Sequence, residues 1–200
     1  MNKTLLERRE GIAEFVQTKY TNVVRNGLSY EQTREWAHAG ITRCLAEIKA
    51  LPAQDQAARL KRDELESYLL RYHIYCIKQN IGAHYREVGA AKKDCDFEHV
   101  IPKAVARELM IYDLMTVDEA LNLPTCLLRT KNHVKLNKTS ASTTPDIWDF
   151  WARYRNTLRL KIETHDGTAV DMTTWNLSKH YEYFKNWFYT VYCNRTCWSL

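Results

Sequence analysis

Apolar residues recur every three or four positions through most of the first eighty residues of this 200-residue chain. That spacing gathers them on one face of a helix, so it predicts amphipathic helices. Ser29 and Gln32 have the spacing of a capping box at the start of the second helix. Helices are predicted over residues 5–20, 29–51 and 53–80. Residues 1–80 are therefore expected to form a helical N-terminal region.

The middle of the chain has a different pattern. Strand-favouring residues between Asp96 and Ile101 are followed by Pro102, which should end the strand because proline donates no ladder hydrogen bond. Alternating apolar residues predict a second strand over residues 125–129, and the hydroxyl of Thr130 is placed to cap a short helix directly after it. Between the strands we predict a helix over residues 105–115 and a turn capped by Thr116 and Glu119.

The last third is predicted to be helical again. Thr144 before Pro145 is a strong helix start, and aromatic residues recur at helical spacing behind it, where we favour a core position for them. The exposed side of this helix would present three arginines to phosphates: Arg153, Arg155 and Arg159. Further elements are predicted as strands over 158–163 and 168–172 and an aromatic helix over 177–194.

These elements together predict a mainly α protein of the α+β class. A single domain is expected to span residues 1–200, with a helical frame formed by residues 1–80 and a helical C-terminal region, residues 144–200. The strands and the helix between residues 94 and 138 form a small insert in that frame. The candidate chemistry of the chain lies in this insert.

Composition narrows the class of protein. The net charge of +5 is modest and spread along the chain, so it allows a nucleic-acid partner without requiring one. The six cysteines form no Cys-x-x-Cys pair, which argues against a zinc knuckle and favours buried thiols in a reducing compartment. The chain begins with no leader peptide pattern and has no apolar run long enough for a membrane span. We expect a soluble, intracellular, cytoplasmic protein.

Two groups of side chains carry candidate chemistry. Glu98 and His99 are consecutive on the first strand and point to opposite sides of it. His133 and Asn137 lie one helical turn apart on the short helix, and Asn132 is a neighbouring candidate. A carboxylate, an imidazole and an amide form a sparse ligand set for a divalent cation. A neutral imidazole can also take a proton from water near neutral pH.

These residues resemble the HNH, or ββα-metal, nucleases. Glu98-His99-Val-Ile-Pro102 is similar to the first part of that motif, Asn122 to its central asparagine, and His133 with Asn137 to its helical ligands. A second alignment over residues 127–135 makes Asn132 the ligand in place of His133. The resemblance covers residues 94–138 and implies a ββα-metal fold for them.

The resemblance also implies an activity, which is the metal-dependent hydrolysis of phosphodiester bonds in DNA to a 5′ phosphate and a 3′ hydroxyl. His99 would be the general base and Asn122 a residue that orients it. Glu98 would bind the metal together with His133, Asn137 or Asn132. Magnesium or manganese is expected, and the mixed donor set would also suit zinc or nickel.

Basic side chains surround the motif and are expected to hold DNA phosphates. Four belong to the second strand and its helix: Arg129, Lys131, Lys135 and Lys138. Two belong to the segment between the strands: Lys103 and Arg107. One motif per chain predicts one cut strand per subunit, so a double-strand cut would need a homodimer. A compact nuclease of this kind would fit a phage or other mobile element.

Two alternatives to a DNA nuclease stay open. One is a catalytically inert helical protein with a nucleic-acid-binding or regulatory role. The other is a nuclease that cuts RNA.

Overall fold

The computed structural model describes residues 30–78, 81–140 and 149–184. The predicted helix over residues 5–20, the capping residue Ser29, the helix start at Thr144 and the end of the last helix lie outside the described residues, as do Cys193 and Cys197. Two compact units are present. Among the described residues, the first contains 30–78 and 103–121, and the second contains 81–102, 122–140 and 149–184.

The first unit is built on two helices, α1 (Tyr30–Ala50) and α2 (Gln56–Tyr72). Asp55 begins α2, because its carboxylate accepts a hydrogen bond from Ala57 N at 2.7 Å. The two helices approach closely at Gly40, where a Cβ atom would come within 3.0 Å of the Tyr68 ring. A π-helical turn, His73–Lys78, continues α2.

Two shorter helices complete this unit, α3 (Lys103–Ile111) and α4 (Val117–Leu121). The predicted cap of α4 is confirmed: Thr116 N donates to Glu119 Oε2 at 2.7 Å, and Glu119 N donates to Thr116 Oγ1 at 3.2 Å. His73 is fully buried and donates from Nε2 to the carbonyl of Leu121 at 3.0 Å. Burial lowers the pKa of His73 to about 4.

The second unit contains a five-stranded sheet in the order β2-β3-β1-β4-β5. The strands are β1 (Tyr85–Glu87), β2 (Cys95–His99), β3 (Thr125–Arg129), β4 (Ile162–Thr164) and β5 (Ala169–Val170). β3 pairs antiparallel with β2 and parallel with β1, while β4 pairs antiparallel with both β1 and β5. The predicted strands at β2 and β3 are confirmed, although β2 ends at His99 and does not continue to Ile101 before Pro102. β1 was not predicted.

Helix α5 (Thr130–Ser140) follows β3 without a loop, as predicted. A shorter helix, α6 (Ala152–Thr157), and a helical segment at 177–184 belong to the same unit. The core position favoured for the aromatic stripe is confirmed for its described members, since Phe150, Trp151 and Tyr154 are fully buried. Their neighbour Tyr85 accepts a hydrogen bond from Trp175 Nε1 at 2.8 Å.

The described residues thus form a mixed α+β structure with a small sheet, which confirms the α+β class. The cysteines within them are free thiols: Cys44, Cys76, Cys95 and Cys126. Burial raises the pKa of the Cys44 thiol to about 12. In the part of the chain that the structure describes, none of the helices combines the length and apolar character that crossing a bilayer requires.

Candidate functional site

Two carboxylates of β2 lie on the face of the sheet that α5 covers. Asp96 and Glu98 are two residues apart on an extended strand, so their side chains point the same way. Their register partners on β3 are Leu128 and Cys126. α5 packs on β2 and β3, because it begins directly after the last residue of β3 and turns back over the sheet. This connection brings the helix residues to the carboxylates.

His133 of α5 lies between the two carboxylates. Its Nδ1 is 3.1 Å from Asp96 Oδ2, and its Nε2 is 2.8 Å from Glu98 Oε2. Asn137, one turn later on α5, places its amide nitrogen 3.0 Å from the same Nε2 atom. Three side chains from two distant segments therefore meet at His133 Nε2: Glu98, His133 and Asn137.

The second oxygen of Glu98 is held by Arg153. The Nη1 atom of Arg153 donates to Glu98 Oε1 at 2.9 Å and to the carbonyls of His99 and Val100 at 3.2 and 3.3 Å. The Arg153 side chain is 1% exposed, so the expectation that it faces phosphates is wrong. Its Nε and Nη2 atoms have no hydrogen-bond partner within the part of the chain that the structure describes. Because Arg153 occupies Oε1, only Oε2 of Glu98 is left to face His133.

The donor atoms at His133 Nε2 suit a divalent cation. An imidazole that donates Nδ1–H to Asp96 would keep its lone pair on Nε2 for a cation, as in carboxylate-histidine-metal arrangements. Rotating the Asn137 amide by half a turn would present its oxygen to the same point. Among the described residues, no three His, Cys, Asp or Glu side chains are grouped as a metal site. The third donor here would be an amide, which is outside those four residue types.

His99 lies on the other side of β2. Its ring contacts Phe97 edge-on, with a centroid distance of 5.4 Å, and strand alternation puts both rings on the face opposite Asp96 and Glu98. His99 is 8% exposed. Its register partner Thr125 is fully buried. His99 is therefore not one of the side chains that meet at His133.

Asn132 contacts a different carboxylate, that of Glu87 on β1. Asn132 Nδ2 donates to Glu87 Oε2 at 2.9 Å, and Arg129 donates to the same carboxylate from its backbone N and its guanidinium. Hence His133, and not Asn132, is the helix residue in contact with Glu98. Asn122 lies in the loop before β3, and its carbonyl accepts a hydrogen bond from His180 Nε2 at 2.7 Å.

The basic candidates are divided between the two units. Lys131, Lys135 and Lys138 are exposed on α5 in the second unit. Lys103 and Arg107 belong to α3 in the first unit. The Arg107 guanidinium forms ion pairs with Glu66 and Glu108. Of the six basic candidates, three are thus exposed on the helix that carries His133.

No protein-family model, no curated protein and no solved structure matches this chain. The resemblance to HNH nucleases therefore remains an expectation from the sequence of residues 94–138.

Sequence reasoning missed three residues at or beside this site: Asp96, Glu87 and Arg153. A signal existed for Asp96, because a residue two positions before Glu98 must share its face of the strand. None existed for Arg153, whose contact with Glu98 joins segments 55 positions apart. The sequence also had no signal for Glu87, because Glu87 lies on a strand of only three residues.

Proposed function

We propose that this protein is a metal-dependent endonuclease that hydrolyses phosphodiester bonds in DNA. One observation carries the proposal: Glu98 Oε2 and the amide of Asn137 lie 2.8 and 3.0 Å from one ring nitrogen of His133. The three residues come from the two parts of the chain that resemble the HNH motif. A carboxylate, an imidazole and an amide leave most of the coordination positions of magnesium or manganese open for water and phosphate oxygens.

Each residue of the group has a separate task in this proposal. Glu98, His133 and Asn137 hold the cation, which when bound stabilises charge on the phosphate and on the departing 3′ oxygen. Asp96 fixes the tautomer of His133, and Arg153 fixes the orientation of Glu98. Lys131 and Lys138 are exposed on the same helix and hold flanking phosphates.

His99 is the proposed general base, a role that comes from the HNH resemblance. His99 is 8% exposed and lies on the face of β2 opposite the Glu98–His133–Asn137 group. This role therefore requires that substrate binding rearranges the end of β2, so that the ring reaches a water molecule next to the cation. Asn122 keeps the orienting role that the resemblance implies. His99 is thus the part of the proposal that needs the most direct test.

The burial of His99 favours a second candidate function, a protein that binds nucleic acid without cutting it. In that case the contacts of His133 with Asp96 and Glu98 would only fasten α5 to the sheet. The exposed lysines of α5 would then be the functional surface. The two candidates differ in whether any phosphodiester bond is broken.

The experiment is a cleavage assay on supercoiled plasmid with Mg²⁺ or Mn²⁺, with and without chelator. Wild type is compared with His133→Ala and His99→Ala, and with His38→Ala as the matched control, since His38 is a half-exposed histidine of the first unit. We expect His133→Ala to lower cleavage at least about 100-fold and His38→Ala to leave it unchanged. Matched RNA and DNA duplexes identify the sugar that the enzyme accepts.

Three outcomes would contradict parts of the proposal. Cleavage that persists in His99→Ala would remove the base role from His99 and leave the metal group in place. Cleavage that persists in His133→Ala would show that the Glu98–His133–Asn137 group is not the site of cleavage. Binding of DNA without cleavage under any of these conditions would establish the second candidate.

A further inference from the structure

A cavity of about 400 Å³ lies in the second unit beside the first turn of α5. It is formed where β1 ends, where α5 begins and where the chain approaches β4. Basic side chains dominate its lining. The residues around it are Glu87, Val88, Arg129, Lys131, Asn132, Arg159, Leu160 and Lys161.

The charges in this cavity are unbalanced. Glu87 is its one acidic residue, and that carboxylate is 3% exposed and already bonded by Arg129 and Asn132. Three further cations remain: Lys131, Arg159 and Lys161. In residues 30–78, 81–140 and 149–184, none of these three has a hydrogen bond or ion pair from its side chain. The cavity therefore presents about three uncompensated positive charges to an incoming anion.

The donors in the cavity suit a phosphate group. Arginine binds phosphate oxygens with its planar fork, and lysine adds a mobile point charge. The cavity also meets the N-terminal end of α5, an 11-residue helix whose dipole favours an anion. The Glu87 carboxylate already accepts the N–H of Arg129, the residue before its first turn. The cationic lining and the helix end act at the same place, so an anion would gain from both.

The cavity adjoins the proposed metal group through two consecutive residues of α5. Asn132 reaches Glu87 at the cavity, and His133 reaches Glu98. Side chains of consecutive helix residues diverge by about 100°, so one turn of α5 serves both places. A nucleic-acid strand that passes over this turn would meet both.

We infer that this cavity is a second phosphate-binding site, which holds a backbone phosphate of the nucleic-acid strand next to the one at the Glu98–His133–Asn137 group. Arg159 and Lys161 are its principal ligands, with Lys131 at its edge. The inference uses the proposed function only to identify nucleic acid as the source of the phosphate. Free phosphate or a mononucleotide has the same chemistry, so the test must separate these sources.

The test measures binding of the full chain to a fluorescent single-stranded oligonucleotide by anisotropy, with chelator present, at several salt concentrations. The variant is Arg159→Gln/Lys161→Gln. The matched control is Arg59→Gln/Lys93→Gln, which removes one exposed arginine and one exposed lysine outside the cavity. Thermal unfolding of all three proteins verifies that they are equally folded.

Each phosphate contact to a single strand contributes about 0.7 to the slope of log K against log salt. We expect the cavity variant to lower that slope by about 1.4 and to weaken binding about 25-fold at about 0.1 M salt. The control variant should bind like the wild type. Equal losses in both variants, or no loss in the cavity variant, would overturn the inference.

Competition identifies the source of the phosphate. Inorganic phosphate and a mononucleotide are titrated against the bound oligonucleotide at constant ionic strength. We expect either compound to displace the labelled oligonucleotide only at concentrations far above those at which an unlabelled oligonucleotide displaces it. Displacement by inorganic phosphate at concentrations comparable with the oligonucleotide would overturn nucleic acid as the occupant. None of these measurements requires cleavage. If the wild type cuts no nucleic acid, and the cavity variant binds the oligonucleotide more weakly than the wild type does, the nuclease proposal is refuted and this inference still holds.

Discussion

His133 Nε2 lies 2.8 Å from Glu98 Oε2, although 35 positions separate the two residues in the sequence. The contact depends on the antiparallel register in which Glu98 faces Cys126 across β2 and β3. A register shift of one residue would move Glu98 to the other face of the sheet, away from α5. The sheet therefore decides whether the carboxylate and the imidazole can serve one cation.

The hydrogen bond from His133 Nδ1 to Asp96 predicts that Asp96→Asn weakens metal binding. An outer carboxylate of this kind sets the tautomer and raises the basicity of the ligand, and its loss typically costs 10- to 100-fold in affinity. We expect a loss of about that size for Mn²⁺ in isothermal titration calorimetry. Asp94→Asn is the control, because Asp94 is exposed just before the strand. Equal Mn²⁺ affinity in wild type and Asp96→Asn would show that Asp96 has no part in the site.

The buried ion pair of Arg153 with Glu98 predicts a strong non-additivity in stability. Arg153→Met leaves the Glu98 carboxylate without its cation in a buried position, and breaking a buried pair in this way costs about 3–5 kcal/mol. Adding Glu98→Gln to that variant removes the uncompensated charge. We expect the double variant to recover a large part of the free energy of unfolding, measured by urea denaturation. A double variant no more stable than Arg153→Met alone would mean that the pair has little energetic weight.

The separate contacts of Asn132 and His133 predict different effects of two neighbouring substitutions. His133→Ala removes the ring nitrogen at which Glu98 and Asn137 meet, so Mn²⁺ binding should be lost. Asn132→Ala removes a hydrogen bond to Glu87 and should leave Mn²⁺ affinity within about twofold, with a loss of about 1 kcal/mol in stability. Calorimetry and denaturation of both variants check this. The reverse pattern would favour the alignment that makes Asn132 the ligand.

The local part of the candidate site was predictable from sequence. Residues 125–129 contain the apolar run Cys126–Leu128 and are buried at four consecutive positions, so the strand is right although the expected alternation is not present. Thr130 follows at once, and the start of α5 was placed correctly. Spacing alone also puts His133 and Asn137 on one helix face. These features depend on neighbours within a few positions, and such neighbours are visible in the sequence.

The parts that depend on distant contacts were not predictable. β1 has three residues, too few for a periodic pattern, and it becomes a strand because it pairs with β3 and β4. Arg153 resembles its neighbours Arg155 and Arg159 in sequence, yet it is buried because the carbonyls of His99 and Val100 and the Glu98 carboxylate accept its hydrogen bonds. A charged residue can be assigned to the interior only when its partners are known.

The buried neutral His73 predicts that the stability of the protein falls in mild acid. Burial lowers the pKa of His73 to about 4, whereas an unfolded histidine titrates near 6.5. Below about pH 6.5 the unfolded chain takes up a proton that the folded chain does not, so the free energy of unfolding decreases until about pH 4 and this contribution is then constant. The loss is of the order of 3 kcal/mol.

His73→Gln tests this prediction, because glutamine keeps a hydrogen-bond donor for the Leu121 carbonyl and has no proton to gain. We expect the free energy of unfolding of the wild type, measured by urea denaturation from pH 7 to pH 4, to fall more steeply than that of His73→Gln. His38→Gln, which removes a half-exposed histidine, serves as the control. The carboxylates are the same in wild type and variant, so their titration cancels from the comparison. Parallel pH profiles for wild type and His73→Gln would show that His73 is not held neutral in the folded protein.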